Sequence, residues 1–248
     1  MSCCIIKILN KIIANKKSGI IFRILKKISP LKNIYYKLKS EINKKISLEY
    51  PPYNLQIHNN IICGSWDPIR YGTIALAINT IKKEKIKGHF AELGVFQGNT
   101  SKIIHQLAPE KKLFLFDTFE GFPLEFLENK GDTNRFKDTQ LQSVKRNIGN
   151  LNNIFIRKGI FPETTEGLES ETFAFVYLDA DLYKSTLEGL KFFYPRISIG
   201  GYLLIHDYHN PQESNAGVLR AVNEFMKDKM EKIIEIPDVL GSVILRKL

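Results

Sequence analysis

The chain is short of the residues that would fix a stapled or membrane-spanning fold. It has three cysteines, Cys3, Cys4 and Cys63, in 248 residues. That number excludes a disulfide scaffold, and their spacing matches no metal-binding pattern. No uncharged apolar run approaches the ~18 residues that a transmembrane helix requires. Lys interrupts every apolar run near the N-terminus, so no cleavable signal is expected and the cytoplasm is the expected compartment. There is no internal repeat, no low-complexity linker and no GxGxxG dinucleotide fingerprint.

Acidic residues are nearly missing from the first 50 positions, which hold 2 Asp+Glu against 12 Lys+Arg. The rest of the chain carries 24 of each sign, so the whole net charge of +10 lies in this extension. A body without net charge argues against a nucleic-acid groove, and no nucleic acid is expected as a partner. Within residues 1–50, Ile5, Ile6, Leu9, Ile12 and Ile13 recur at helical spacing, as do Ile20, Ile21, Ile24, Leu25 and Ile28, with Lys and Arg between them. This is the pattern of a basic amphipathic helical extension suited to peripheral contact with an anionic membrane surface. Cys3 and Cys4 offer acylation points. The alternative is a helix that packs on the body or on a second subunit, in a homo-oligomer. Pro51-Pro52 ends the extension, and the second domain is expected over 51–248.

The body alternates short apolar runs with helical segments. Asp67-Pro68 reads as an N-cap followed by proline at the first helical position, opening a helix to about Lys83. Strands are expected over His89–Leu93, Lys112–Phe116, Asn153–Arg157, Phe173–Leu178 and, after a Gly200-Gly201 turn, Tyr202–Ile205. Helices are expected over Asn99–Leu107, Thr139–Ile148, Tyr183–Tyr194 and Ala216–Met230. Lys232–Ile236 and Ser242–Arg246 form a closing hairpin. The pattern predicts an α/β fold: a doubly wound, mostly parallel seven-stranded sheet with a C-terminal antiparallel hairpin strand. Such sheets bind ligands at the carboxyl ends of their strands.

The candidate chemistry lies at those ends. The first strand runs into Glu92-Leu93-Gly94-Val95-Phe96-Gln97-Gly98, with Ser101 just inside the next helix. Gly94 and Gly98 would let a ligand approach the backbone. Glu92 would repel a pyrophosphate but suit the ammonium group of S-adenosylmethionine. The second strand ends at Asp117-Thr118, where a carboxylate can accept from both hydroxyls of a ribose. The fourth ends in Asp179-Ala180-Asp181 and the fifth in His206-Asp207. Carboxylates crowded in this way repel one another unless a cation or proton intervenes. Oxygen ligands suit Mg²⁺ or Ca²⁺, and an added imidazole favours Mn²⁺, Fe²⁺ or Zn²⁺. The bland alternative is that Asp181 caps the following helix and that His206-Asp207 only ends a strand; two such pairs at adjacent strand ends favour a metal site. Leu124–Lys137 reads as a substrate lid, and Trp66, Arg70, Tyr71, Arg135, Tyr208 and His209 as substrate-side candidates.

Taken in order, Ala91–Gly98, Asp117-Thr118-Phe119-Glu120-Gly121-Phe122-Pro123, Lys158-Gly159-Ile160-Phe161-Pro162-Glu163-Thr164 and the run from Leu178 to Phe225 resemble the macrocin O-methyltransferase (TylF-type) family. The resemblance runs from about residue 66 to residue 230. It implies a class I fold and an S-adenosyl-L-methionine-dependent, divalent-metal-assisted O-methyltransferase (Mg or Mn). The implied acceptor is a sugar hydroxyl of a sugar-containing small molecule or glycan. By resemblance, Glu92, Gly94 and Ser101 hold the methionine part, Asp117 the ribose, and Lys158-Gly159 border the adenine. With Gly98, Thr118 and Asp179 these make up the expected cofactor-binding set. Asp179 and Asp207 match metal ligands, His206 joins them, and Asp181 matches the general base. The chain departs from the family at His206, where Asp is usual. Two competing readings are a nicotinamide-dependent oxidoreductase, which needs a pyrophosphate loop missing here, and a non-catalytic S-adenosylmethionine-binding homologue.

Overall fold

The computed structural model describes residues 67–128, 133–210 and 216–248. The expected extension over 1–50, the start of the body at 51 and Trp66 lie outside them. The compact unit considered below is Ile69–Leu248.

Helix α1 (Pro68–Lys83) opens with proline at its first position, where the missing N–H costs nothing. It buries Tyr71, Ile74, Ile78 and Ile81 along one face. Strand β1 (His89–Leu93) leads through a tight loop into α2 (Asn99–Leu107). There follow β2 (Leu113–Asp117), α3 (Leu141–Ile148) and β3 (Ile154–Lys158). Then come β4 (Phe173–Leu178), α4 (Tyr183–Phe193), β5 (Ile197–Ile205), α5 (Gly217–Met226), β6 (Ile234–Ile236) and β7 (Ser242–Arg246).

The seven strands form one sheet in the order β3-β2-β1-β4-β5-β7-β6. β1 to β5 pair in parallel, and β7 runs antiparallel to both β5 and β6. The expected doubly wound sheet with an antiparallel hairpin is therefore present. β4 lies inside the sheet with every residue of Phe-Ala-Phe-Val-Tyr-Leu buried, as a parallel strand covered on both faces should be. A cluster of Phe116, Phe161, Phe173 and Phe193 fills one face with ring centroids 5.2–5.7 Å apart. These rings join large apolar area to edge-to-face contacts.

One boundary differs in kind. Gly200-Gly201 was expected as a turn before β5, but both lie inside the strand, which starts at Ile197. Gly200 N–H donates to Lys247 O and Lys247 N–H donates to Gly201 O, both at 2.8 Å. A Cβ on Gly201 would stand 2.8 Å from the carbonyl oxygens of Ala174 and Ser198. The register of β4 against β5 shifts at the same place. The glycines make an irregular crossing of neighbouring backbones inside the sheet, not a turn.

The chain enters the sheet at β1, winds outward to β3, then returns to β4 on the other side of β1. The switch point therefore lies between β1 and β4. In open parallel sheets the crevice at this point is the ligand site.

Candidate active site

Gly94 sits at the switch point with φ of +88°. A Cβ there would lie 1.9 Å from the carbonyl oxygen of Asp179, so the β1 loop and the β4 exit touch backbone to backbone. Asp179 N–H donates to Leu93 O at 2.8 Å and locks the same junction. Gly98 has φ of +78°, and a Cβ would meet Val144 of α3 at 2.9 Å. Both glycines thus serve approach of chain to chain, where the sequence suggested approach of a ligand.

Glu92 is 1% exposed, and its Oε2 accepts from the buried Ser101 hydroxyl at 2.5 Å. Burial pushes its carboxyl well above the usual range; the Ser101 hydrogen bond works against this, while the charges of Asp179 and Asp117 add to it. Ser101 therefore acts on Glu92.

Asp117 is taken up by backbone. Its Oδ2 accepts from the N–H groups of Val95 (2.8 Å) and Phe96 (3.0 Å), and its Oδ1 from Phe119 N–H (2.7 Å). A carboxylate offers about four acceptor positions, so about one is left for a ribose hydroxyl. Its first task is to tie the β1 loop to the β2 loop. Thr118 Oγ1 donates to Gly121 O at 2.5 Å and shapes that second loop. Lys158 Nζ pairs with Glu120 at 2.5 Å on the exposed rim, and Gly159 N–H donates to Asp117 O at 3.1 Å.

Asp179, His206 and Asp207 each offer one ligand atom, and these atoms all lie within 4.8 Å of one another. His206 Nε2 stands 3.4 Å from Asp207 Oδ1. Asp207 is 5% exposed, and its buried Oδ1 has no hydrogen-bond partner among the described residues. Its carboxyl is pushed up to about 7, first by burial and then by the charge of Asp179. Two carboxylates, an imidazole and an unsatisfied oxygen make a donor set that fits a divalent cation.

Asp181 lies beside this group, its side chain hydrogen-bonded to that of Asp207. Leu182 is the N-cap of α4, and Asp181 precedes it by one residue. Arg135 donates to Asp181 Oδ1 at 3.1 Å. The expected lid over Leu124–Lys137 thus sends one side chain to the candidate base; residues 129–132 within it lie outside the described residues. Asp181 (φ 56°) and Asp207 (φ 62°) are both left-handed, as are Phe96 and Phe119 in the first two loops. Four non-glycine residues in this sparsely populated region sit at neighbouring strand ends, where such strain gathers at functional sites.

Arg70 is the residue whose role the sequence did not show. It was a substrate-side candidate, but its side chain is buried. Nη1 donates to Tyr177 Oη at 3.1 Å and lies 3.7 Å from Asp179 Oδ2, and Nη2 donates to Tyr71 Oη at 3.1 Å. Tyr177 Oη in turn donates to Asp179 Oδ2 at 3.1 Å. Arg70 is the resident counter-charge of the acidic group. Tyr71 and Tyr208 are likewise buried, Tyr208 donating to Asn223, while His209 is paired with Glu235. Of the substrate-side candidates in the described residues, Arg70 and Arg135 reach the acidic cleft.

Comparison with known proteins agrees with this architecture. A rhamnosyl-tetracenomycin-C 4'-O-methyltransferase of Streptomyces olivaceus is 26% identical over 156 residues, 56% of this chain and 60% of that protein. The chain spans between 60% and 63% of the curated relatives it matches. Among solved structures, the O-methyltransferase NovP superposes with a TM-score of 0.63 at 21% identity, over 87% of this chain and 98% of NovP. An O-methyltransferase from Bacillus cereus, solved in complex with SAH, gives 0.52 at 12% identity, over 86% of this chain and 100% of that one. Both likenesses establish the fold. The family model for macrocin-O-methyltransferase (TylF) matches residues 68–244, the whole span from α1 into β7. The chain belongs to the macrocin O-methyltransferase family.

Proposed function

We propose that this chain is an S-adenosylmethionine-dependent O-methyltransferase. Its acceptor is a sugar hydroxyl of a glycoside, polysaccharide or glycolipid, and a divalent cation, Mg²⁺ or Mn²⁺, assists. The observation that carries the reading is the placing of two cation-seeking groups on either side of the β1–β4 switch point. Glu92, buried and held by Ser101, is suited to an ammonium group. Asp179, His206 and Asp207 are suited to a divalent ion. The rhamnosyl substrate named for the Streptomyces olivaceus relative supports a sugar acceptor.

A sugar hydroxyl is a poor nucleophile at neutral pH. A divalent cation held by Asp179, His206 and Asp207 would supply Lewis acidity that lowers the hydroxyl pKa. Asp181, paired with Arg135, takes the hydroxyl proton. S-adenosylmethionine, when bound, would supply the sulfonium methyl to this oxygen, its carbon–sulfur bond breaking and its sulfur leaving as a neutral thioether. The strand-end loops act chiefly by alignment. The basic residues 1–50 support a second contact, with an anionic membrane surface. Liposome sedimentation of the full and truncated chains tests it, and equal behaviour of the two rejects it.

Thermal unfolding with S-adenosylhomocysteine, NAD⁺ and NADH tests the main reading. A ligand at ~100 times its Kd adds about 2.7 kcal/mol. In a domain of this size that is a rise in Tm of roughly 5–10 °C. A rise with S-adenosylhomocysteine alone is expected; a rise only with a nicotinamide cofactor overturns the reading. With a sugar acceptor in hand, Asp181→Asn lowers methyl transfer by roughly 10²–10⁴-fold while S-adenosylhomocysteine still binds.

A further inference from the structure

His206 brings a nitrogen donor to the acidic group, and its surroundings fix which nitrogen faces that group. His206 leaves β5 beside the start of β7, because Ile205 pairs with Val243 in the antiparallel ladder. Its Nδ1 lies 2.9 Å from Ser242 Oγ, and Ser242 Oγ donates to Asp238 Oδ2 at 2.5 Å. The three side chains are buried, His206 at 3% exposure, and the hairpin turn is tied back by His209 N–H to Gly241 O. A serine hydroxyl has one proton. Given to the Asp238 carboxylate, it leaves Ser242 Oγ only as an acceptor toward His206. Nδ1 must then carry the imidazole proton, and Asp238 Oδ2, 3.9 Å from Nδ1, favours it there. The Nε2 lone pair is left facing Asp207 Oδ1 at 3.4 Å, the buried oxygen without a hydrogen-bond partner. With Asp207 ionised these are two acceptors facing each other, an arrangement that a cation between them satisfies.

We propose that Ser242 and Asp238 are positioning residues that hold His206 as the Nδ1–H tautomer. They make Asp179, His206 Nε2 and Asp207 a mixed nitrogen–oxygen site that prefers Mn²⁺ to Mg²⁺. The proposal deepens the metal-assisted reading above and rests on it. The imidazole brings no negative charge to the ligand set and adds a borderline nitrogen donor. Both changes disfavour Mg²⁺, which depends on charge and oxygen, relative to Mn²⁺. A partner that fixes the far nitrogen of a ligating histidine typically carries 10–100-fold in metal affinity.

The test uses the full chain. Mn²⁺ binding is followed by the loss of its free electron-spin signal, with Mg²⁺ as competitor, and electron-spin-echo spectra of bound Mn²⁺ report nitrogen coupling. The expected result is bound Mn²⁺ with ¹⁴N coupling and Mg²⁺ at least about tenfold weaker. Ser242→Ala and Asp238→Asn should each weaken Mn²⁺ by roughly 10–100-fold. His206→Asp should abolish the nitrogen coupling and narrow the Mn²⁺/Mg²⁺ ratio. In case the variants fold poorly, ¹⁵N NMR of the metal-free wild type reads the tautomer directly, with Nδ1–H expected. Bound Mn²⁺ without nitrogen coupling, a wild-type His206 protonated on Nε2, or unchanged affinity in both relay variants each overturns the proposal. Methyl transfer is assayed in parallel. Nitrogen-coupled Mn²⁺ in a chain with no transferase activity overturns the functional reading and leaves the site. Transfer with no bound cation does the reverse.

Discussion

Replacing Glu92 by Gln should stabilise the empty protein and cripple its ligand binding. Glu92 is 1% exposed, and its carboxyl is raised well above 4.5, chiefly by burial. The unfolded chain releases this proton near pH 4.5, whereas the folded chain keeps it to higher pH. Unfolding therefore becomes easier by about 1.4 kcal/mol per pH unit above 4.5, until the folded carboxyl ionises too. Gln has no such slope and still accepts the Ser101 hydroxyl. The stability of E92Q relative to wild type should thus grow from pH 4.5 upward, measured by urea unfolding at one-unit steps. The ligand arm has the opposite sign. A hydrogen bond to a charged group contributes about 1.5–3 kcal/mol, so S-adenosylhomocysteine should bind E92Q roughly 10–150-fold more weakly. A constant stability difference across pH would refute the buried-carboxyl argument, and unchanged S-adenosylhomocysteine affinity would refute the ammonium contact.

Three further outcomes are expected. Gly94→Ala meets the Asp179 carbonyl at 1.9 Å with φ of +88°, whereas Gly98→Ala, with φ of +78°, meets only side chains, those of Val144 and Ile148. G94A should lose at least about 2 kcal/mol, roughly 4–8 °C in Tm, and more than G98A; the reverse ranking would contradict the backbone contact. Asp117→Asn sets an amide N–H₂ against backbone donors, leaving one of the Val95, Phe96 or Phe119 N–H groups unsatisfied at about 1–3 kcal/mol. Faster amide exchange confined to residues 94–98 and 118–121, with weaker S-adenosylhomocysteine binding, is the signature, and unchanged exchange would count against it. Burial raises the Glu231 carboxyl, but hydrogen bonds from Lys247 and Tyr194 outweigh it and hold it at about 2. That lowered value stabilises the fold above pH 4.5 and is lost as pH falls toward about 2. E231Q should cost about 2–3 kcal/mol at neutral pH and almost nothing near pH 2, so a loss independent of pH would disprove the linkage.

The sheet was legible because its strands are short apolar runs bounded by turn residues. β1, β4, β7, α1 and α2 fall where the pattern puts them. β5 was cut short because a Gly-Gly pair marks a turn in isolation, and only its neighbours Ala174 and Ser198 show that a crossing needs it. The acidic strand ends were visible as types at positions, but their duties were not. Asp117 was assigned a ribose, yet three backbone N–H groups now occupy it. Arg70 could not be placed inside the acidic group from its spacing on α1, since nothing local distinguishes a buried guanidinium from an exposed one. Ser242 and Asp238 lie more than thirty residues beyond His206 and meet it only through the antiparallel register of β7.

Charge balance joins these parts. Glu92, Asp117, Asp179, Asp181 and Asp207 gather at the ends of four strands, with two guanidiniums among them. Arg70 is committed to Tyr177, Tyr71 and Asp179, and Arg135 to Asp181. Asp117 is satisfied by amide N–H groups. The charge left over sits at Glu92 and at Asp207, and both feel Asp179, whose charge raises each, and Arg70, whose charge lowers each. In the empty protein a proton answers each demand, which is why both carboxyls hold theirs above the ordinary range. An ammonium group at Glu92 and a divalent ion at Asp207 are, in this reading, replacements for those protons. Each must then release a proton as it binds wherever its carboxyl is still protonated. The Asp207 site should shed its proton-competition above about pH 7, where that carboxyl ionises unaided.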